Sequence, residues 1–159
     1  MKTITPLTPR QWAKKAKKEL AANPFMALAT SKNNRPWNSP VYYAYDDKYN
    51  FYWNSYQGAQ HSKNIAANKN VFVVVYNRIE DGFGVYMTGT AKKLTGKKDT
   101  KKAMALLFKR KGKNYTDPEG FIASPYRFTP KKFWINDETY IKGDKKIDIK
   151  VEITRFMKR

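Results

Sequence analysis

Apolar positions along this chain alternate or gather in short runs, and three stretches interrupt them with helical spacing. Thr8-Pro9 reads as a helix start, with Thr as the N-cap and Pro at the first helical position. Trp12, Ala16 and Leu20 follow as an apolar stripe, and Asn23-Pro24 ends it. Residues 25–30 form a short apolar run that predicts a buried strand. Lys32-Asn33-Asn34 predicts a turn. An extended segment over 36–40 leads into a second strand at 41–45. A polar turn at 46–50 and a third strand from Phe51, Tyr52 and Trp53 complete two successive hairpins.

Residues 60–68 have helical spacing, with Ile65 and Ala66 as the apolar side. Val71 to Tyr76 is β-branched and aromatic and predicts a strand. Asp81-Gly82 and Gly84 mark a turn. Residues 85–94 predict a long strand interrupted by Gly89. Residues 98–111 predict an amphipathic helix with Ala103, Leu106, Leu107 and Phe108 inside and Gly112 as its stop. A loop carrying Asp117-Pro118 and Gly120 follows. Residues 126–136 predict a strand that Pro130 makes an edge or breaks. Ile147, Ile149, Val151 and Ile153 alternate as a last strand. No repeat or linker divides the chain. The expectation is one α+β domain over residues 1–159, mainly β with peripheral helices. It has an N-terminal helix at about 9–22, a small antiparallel barrel at about 25–137, and a C-terminal strand or tail at 138–159.

Composition narrows the chemistry. An apolar share of 41% with 15% aromatics is enough for a packed core. The chain has no cysteine, which excludes disulfides, thiolate metal sites and a cysteine nucleophile. No apolar run is long enough to span a bilayer, and MKTITPLTPRQWAKK lacks the apolar core of a signal peptide, so a cytoplasmic protein is expected. The formal charge of +19 comes from 25 Lys and 7 Arg against 13 acidic residues. One reading is a surface for nucleic acid or anionic ligands. The preferred one is solvated helix faces, because lysines cluster at 14–18 and 97–113 and arginine, the better phosphate fork, is scarce.

His61 is the only histidine, so multi-histidine metal sites and relays are excluded. No G-x-S-x-G frames a serine, and there is no Walker loop or G-x-G-x-x-G. Gly82-Phe83-Gly84 reads as a hairpin turn, and Asp46-Asp47 as a solvated pair in another turn. Any chemistry falls to a bound cofactor.

The stretch FMALATSKNNRPWNSPVYYAYDDKYNFYWNSYQGAQHSKNIAANKNVFVVVYN resembles the conserved half of the pyridoxamine 5′-phosphate oxidase-like family. Its parts come in family order: a strand ending L-A-T, a Pro-led strand ending Tyr-Asp, F-Y-W-N-S, then a short helix opening H-S-K-N-I. The later G-V-Y-M-T-G-T-A-K-K-L and Y-R-F-T-P-K-K-F-W-I-N-D segments extend the likeness over roughly residues 20–137. The resemblance implies an antiparallel split β-barrel of FMN-binding type, a homodimer with FMN between its subunits. It points to Trp37, Asn38, Ser39 and Pro40 along the flavin, and to Trp53, Asn54 and Ser55 facing its ring and ribityl chain. It also points to His61, Ser62, Lys63 and Asn64 at a helix start suited to the phosphate.

Each position has a plainer alternative. Trp53 can serve rim packing, Asn54 turn capping, and a lone His at a helix start is usually a surface or capping residue. Trp134 resembles an aromatic that reaches the partner's flavin in some relatives, but barrel or dimer packing is the preferred reading; Arg127 and Lys132 are lesser candidates on that segment. Oxidases of the family carry Ser-Arg-Lys where this chain has Ala59-Gln60-His61, with Lys63 two places on. The Arg-Leu-His type motif of true pyridoxamine phosphate oxidases has no counterpart after Trp134, so oxidation of vitamin B6 is not expected.

The sequence thus implies an FMN-dependent oxidoreductase with an unidentified electron donor or acceptor, and no catalytic acid or base is assigned. FAD, a deazaflavin or haem are alternative cofactors, with His61 as a conceivable haem ligand, on a non-catalytic binding or sensing protein. A nucleic-acid-binding barrel ranks last, since no aromatic-basic cluster resembles a known motif.

Overall fold

The computed structural model describes residues 7–76, 83–112, 122–137, 141–142, 145–146 and 149–157. In chain order the elements are α1 (Pro9–Ala22), β1 (Phe25–Lys32), β2 (Arg35–Tyr42), β3 (Ala44–Tyr45), β4 (Phe51–Ser55), α2 (Gln60–Ala67) and β5 (Asn70–Tyr76). Then come β6 (Gly84–Lys93), α3 (Lys97–Lys111), β7 (Ser124–Asp137), β8 (Ile141–Lys142), β9 (Lys145–Lys146), β10 (Ile149–Glu152) and α4 (Thr154–Met157). The turn at Asp81-Gly82, the loop with Asp117-Pro118 and Gly120, and Ile147 lie outside the described residues.

The main sheet is antiparallel, in the order β2-β1-β5-β6-β7-β4-β3, with β10 also paired to β7. Alternation supplies its inner face: Met26 and Leu28, Val71, Val73 and Val75, Val85 and Met87, Phe133 and Ile135 are all buried. Phe51, Trp53 and Phe128 fill the far side of the same core. The sheet curls around this core, and its two ends, β2 on one side and β3–β4 on the other, leave a split. The result is the mainly antiparallel split barrel expected from the sequence.

Helix α1 covers the core with Trp12, Ala13, Ala16 and Leu20. Burying each large side chain there stabilises the fold by about 1.5–3 kcal/mol. Its start is a capping box, in which the Thr8 hydroxyl accepts from the Gln11 N–H and the Gln11 side chain accepts from the Thr8 N–H. Its end is tied to α3: Arg110 Nη2 donates to the carbonyls of Leu20, Ala21 and Asn23 at 2.9, 3.2 and 2.6 Å. Lys14, Lys15, Lys18, Lys97, Lys98, Lys101 and Lys109 lie on the exposed faces of these helices, where charge costs little.

Pro130 neither ends β7 nor places it at an edge. β7 pairs with β6 along most of its length, and the register shifts between Thr88 and Gly89, so that Gly89 faces Pro130 while Thr88 faces Lys132. The extra residue, Lys131, makes a bulge that absorbs the missing proline N–H. Gly89 is required there: a β-carbon would overlap the Thr129 carbonyl and lie 2.8 Å from both Phe128 and Pro130.

Asp46 is also not the solvated turn residue that its sequence context suggests. It is buried and accepts hydrogen bonds from the backbone N–H of Lys48 and Asn50, the Asn50 amide, the Tyr52 hydroxyl at 3.0 Å and Lys102 at 2.6 Å. Burial pushes its carboxyl up, but these donors outweigh it and hold it at about 2. The carboxylate pins the β3–β4 turn to α3.

Candidate functional site

The β1–β2 connection is a two-residue turn, with Asn33 and Asn34 at φ 52° and 58°. Asn tolerates that left-handed conformation, which a hairpin with right-handed strand twist requires. The tight turn sets the register, pairing Lys32 with Arg35 and Thr30 with Trp37. Strand β2 lies at one end of the sheet and is exposed over residues 35–38. By the pleat, Arg35, Trp37 and Ser39 share one face while Pro36, Asn38 and Pro40 share the other. The structure therefore separates Asn38 from Ser39. Asn38 and Pro40 are exposed on the outward face, and Ser39 turns towards α2.

His61 enters from the first turn of α2 and crosses the split. Its Nε2 is 2.6 Å from Ser55 Oγ on β4, and its Nδ1 is 3.2 Å from Ser39 Oγ on β2. Trp37 Nε1 donates to the same Ser39 oxygen at 3.0 Å. The ring is buried, and desolvation lowers its pKa, so it is neutral at pH 7. One consistent proton order runs from the Trp37 N–H to Ser39, from the Ser39 O–H to Nδ1, and from the Nε2–H to Ser55. His61 is thus an interior strut between the two edges of the barrel rather than a surface or capping residue. Both ring nitrogens are engaged.

The rest of α2 follows the same inward logic. Asn64 is buried, donates to Thr30 Oγ1 at 3.0 Å and accepts from Gln60 at 2.8 Å. Ser62 is buried, and its hydroxyl has no partner among the described residues. Lys63 is exposed. The helix start, Ala59, offers no side-chain cap. Trp53 is fully buried and stacks on Tyr126 at 5.5 Å, so it is part of the core and presents no face to a ligand. Asn54 donates to Met104 Sδ, and its Oδ1 has no partner among the described residues.

Two hollows flank the start of β2. One, of about 530 Å³, is lined by Lys32, Asn33, Arg35, Pro36, Trp37, Gln60 and Asn64. The other, of about 410 Å³, crosses the outer sheet face between Ala29, Ser31, Pro36, Phe72, Thr88 and Lys131. Pro36 belongs to both. The first is cationic, and the second is mostly apolar. Lys32 and Arg35 were not singled out from the sequence, where two cations beside a turn look like any solvated pair.

Trp134 lies on the outer face of β7 opposite Tyr86, outside the barrel core. Phe72 and Tyr86 make a ring contact at 6.2 Å on the same side of the sheet. Lys132 lies over the Trp134 ring and faces Glu152 at 3.8 Å. Arg127 instead lines a third hollow, of about 770 Å³, beside the Asp46–Lys102 pair and away from β2.

Residues 13–141 match the family model for pyridoxamine 5′-phosphate oxidase, and the chain belongs to that family. Among solved structures, it is similar to a FAD-binding protein from Mesorhizobium loti. That likeness has 25% identity and a TM-score of 0.61, covering 77% of this chain and 92% of that one. A FAD-binding protein from Mycobacterium smegmatis is 16% identical with a TM-score of 0.62, over 82% of this chain and 95% of that one. A heme-binding protein from Mycobacterium smegmatis is 17% identical with a TM-score of 0.66; the match covers 97% of this chain and 62% of that longer one. No curated protein matches the chain. No helix among the described residues is long and apolar enough to cross a membrane.

Proposed function

We propose that this protein binds a flavin, FMN in the first instance, in the groove around β2, and that it acts as a homodimeric flavin-dependent oxidoreductase. The observation that carries the reading is the pair of hollows meeting at Pro36. A flavin nucleotide is a planar, largely apolar ring joined to a phosphate, and an apolar hollow beside a cationic one is the complement of that shape. The family and its FAD-binding relatives support the same ligand class.

The residues divide the work. Trp37, 49% exposed, offers an aromatic face at the mouth of the cationic hollow. Asn38 and Pro40 border the groove on the outward face of β2, Ser39 faces α2, and Gln60 and Asn64 line the cationic hollow from the start of α2. Ser55 acts through His61, which fixes Ser39 and the strand edge. Phe72, Tyr86 and Trp134 make the outer face an apolar surface for a second copy of the chain, which would close the groove from above and exclude water. The flavin, when bound, supplies hydride or electron exchange. Because both nitrogens of His61 are engaged, holding haem through this residue would require breaking the bridge across the split.

Absorption spectroscopy after purification with FMN tests the proposal. The expected result is a yellow dimer with a bound-flavin spectrum, quenched flavin fluorescence and bleaching by NAD(P)H. A colourless protein that leaves micromolar FMN, FAD and deazaflavin unquenched refutes it. Binding without bleaching by any reductant retains the flavin and removes the oxidoreductase.

A further inference from the structure

The cationic hollow has a feature that composition hides among 32 basic residues. Lys32 and Arg35 close the β1–β2 turn as directly paired residues, so the turn geometry brings their two charges together. Neither appears in an ion pair among the described residues. Both line the hollow together with Gln60 and Asn64 of α2. The helix start beside them has no side-chain cap, so its first N–H groups lack a side-chain acceptor and favour a nearby anion. Of the two basic residues at the start of α2, His61 is neutral and sealed between two serines, and Lys63 is exposed and does not line the hollow. The cation needed for an anion here must come from elsewhere, and the hairpin tip is what the fold supplies.

We propose that Lys32 and Arg35, on the β1–β2 hairpin, form a phosphate clamp against the start of α2, and that this clamp holds the phosphate of the flavin nucleotide. The inference rests on the flavin reading above and adds its anchoring group. Arg35 can present two N–H donors to a phosphate, while Lys32 adds a mobile point charge. Asn64 cannot compete for this role, because its amide is fixed by Thr30 and Gln60. The clamp makes the phosphate, rather than the ring, the group that selects the ligand.

The test compares FMN with riboflavin, the same ring without phosphate, by fluorescence quenching. The proteins are the wild type, Lys32→Gln/Arg35→Gln and, as a control that removes an exposed cation on α3, Lys101→Gln. The wild type is expected to prefer FMN by about 30-fold or more, a fair return for two charge-assisted contacts. In the double variant that preference falls to within about 3-fold while riboflavin binding stays the same, and Lys101→Gln keeps the wild-type preference. Lys32→Arg/Arg35→Lys retains most of it. Circular dichroism melts confirm that the variants fold, which the exposure of both positions favours. If the wild type binds FMN and riboflavin equally, or the double variant keeps its preference, the clamp is refuted and the flavin reading stands. If neither flavin binds the wild type, both fall.

Discussion

Replacing His61 with leucine removes the strut across the split, and the structure fixes both the size and the pH dependence of the loss. Two hydrogen bonds disappear, but they are not equal. Ser55 is buried and loses its partner without access to water, which costs about 1–3 kcal/mol. Ser39 is only half-buried and keeps the Trp37 donor, so its loss is small. At pH 8 the variant should therefore be about 2 kcal/mol less stable, within the reserve of an ordinary domain. The sign with pH follows from burial. Burial holds the folded pKa of His61 below its ordinary value of 6.5, so the unfolded chain binds the proton first as pH falls. His61's contribution is present above about 6.5 and is lost as pH drops towards the folded pKa. Leucine does not titrate. The gap between wild type and variant should thus narrow between pH 8 and pH 5, as read by urea unfolding. A gap that stays constant or widens over that range would refute the neutral-strut account, and so would a leucine variant as stable as the wild type at pH 8.

Two further substitutions probe the frame that holds the site. Asp46→Ala should cost about 3 kcal/mol in urea unfolding, because it strands the buried Tyr52 hydroxyl and the turn N–H groups. Lys102→Met should cost under about 1 kcal/mol, since its side chain is 50% exposed and the ion pair is screened; equal losses would show that the pair, not the turn, is what Asp46 stabilises. Asp46's folded value near 2 lies below 3.8, so its contribution is present above 3.8 and fades as pH falls towards 2. Gly89→Ala should lower stability by more than about 2 kcal/mol in thermal melts, because the new methyl meets backbone on the paired strand; an unchanged Tm would mean that the bulge relaxes freely.

A short apolar run made β1 legible, β-branched and aromatic content did so for β5, and Thr8-Pro9 carried the start of α1. Where sequence reasoning failed, a tertiary partner decided. Pro130 signals an edge by itself, and only the bulge opposite Gly89 lets it sit inside a paired strand. Asp46 looks solvated until Tyr52, Asn50 and Lys102 are seen to converge on it. In α2 the apolar pattern placed Ile65 and Ala66 inside, yet Ala66 is exposed and the buried side runs through His61, Ser62, Asn64 and Ile65. A helix that buries polar groups against a split defeats a hydrophobicity rule built for dry cores. The family pattern singled out α2, but not which of its residues point inward.

Strand β2 ends the sheet, and its two prolines say how that end meets other molecules. A two-residue hairpin turns the N–H groups of Arg35, Trp37 and Ser39 towards β1, leaving those of positions 36, 38 and 40 to point away from the sheet. Two of those three positions are proline and carry no hydrogen to give. The free border can accept hydrogen bonds along its length but can donate only at Asn38. Another strand finds almost nothing to zip onto, so the barrel can stay open without inviting open-ended stacking of copies. What remains available is a row of carbonyls and side chains, a border suited to a small molecule with donors of its own.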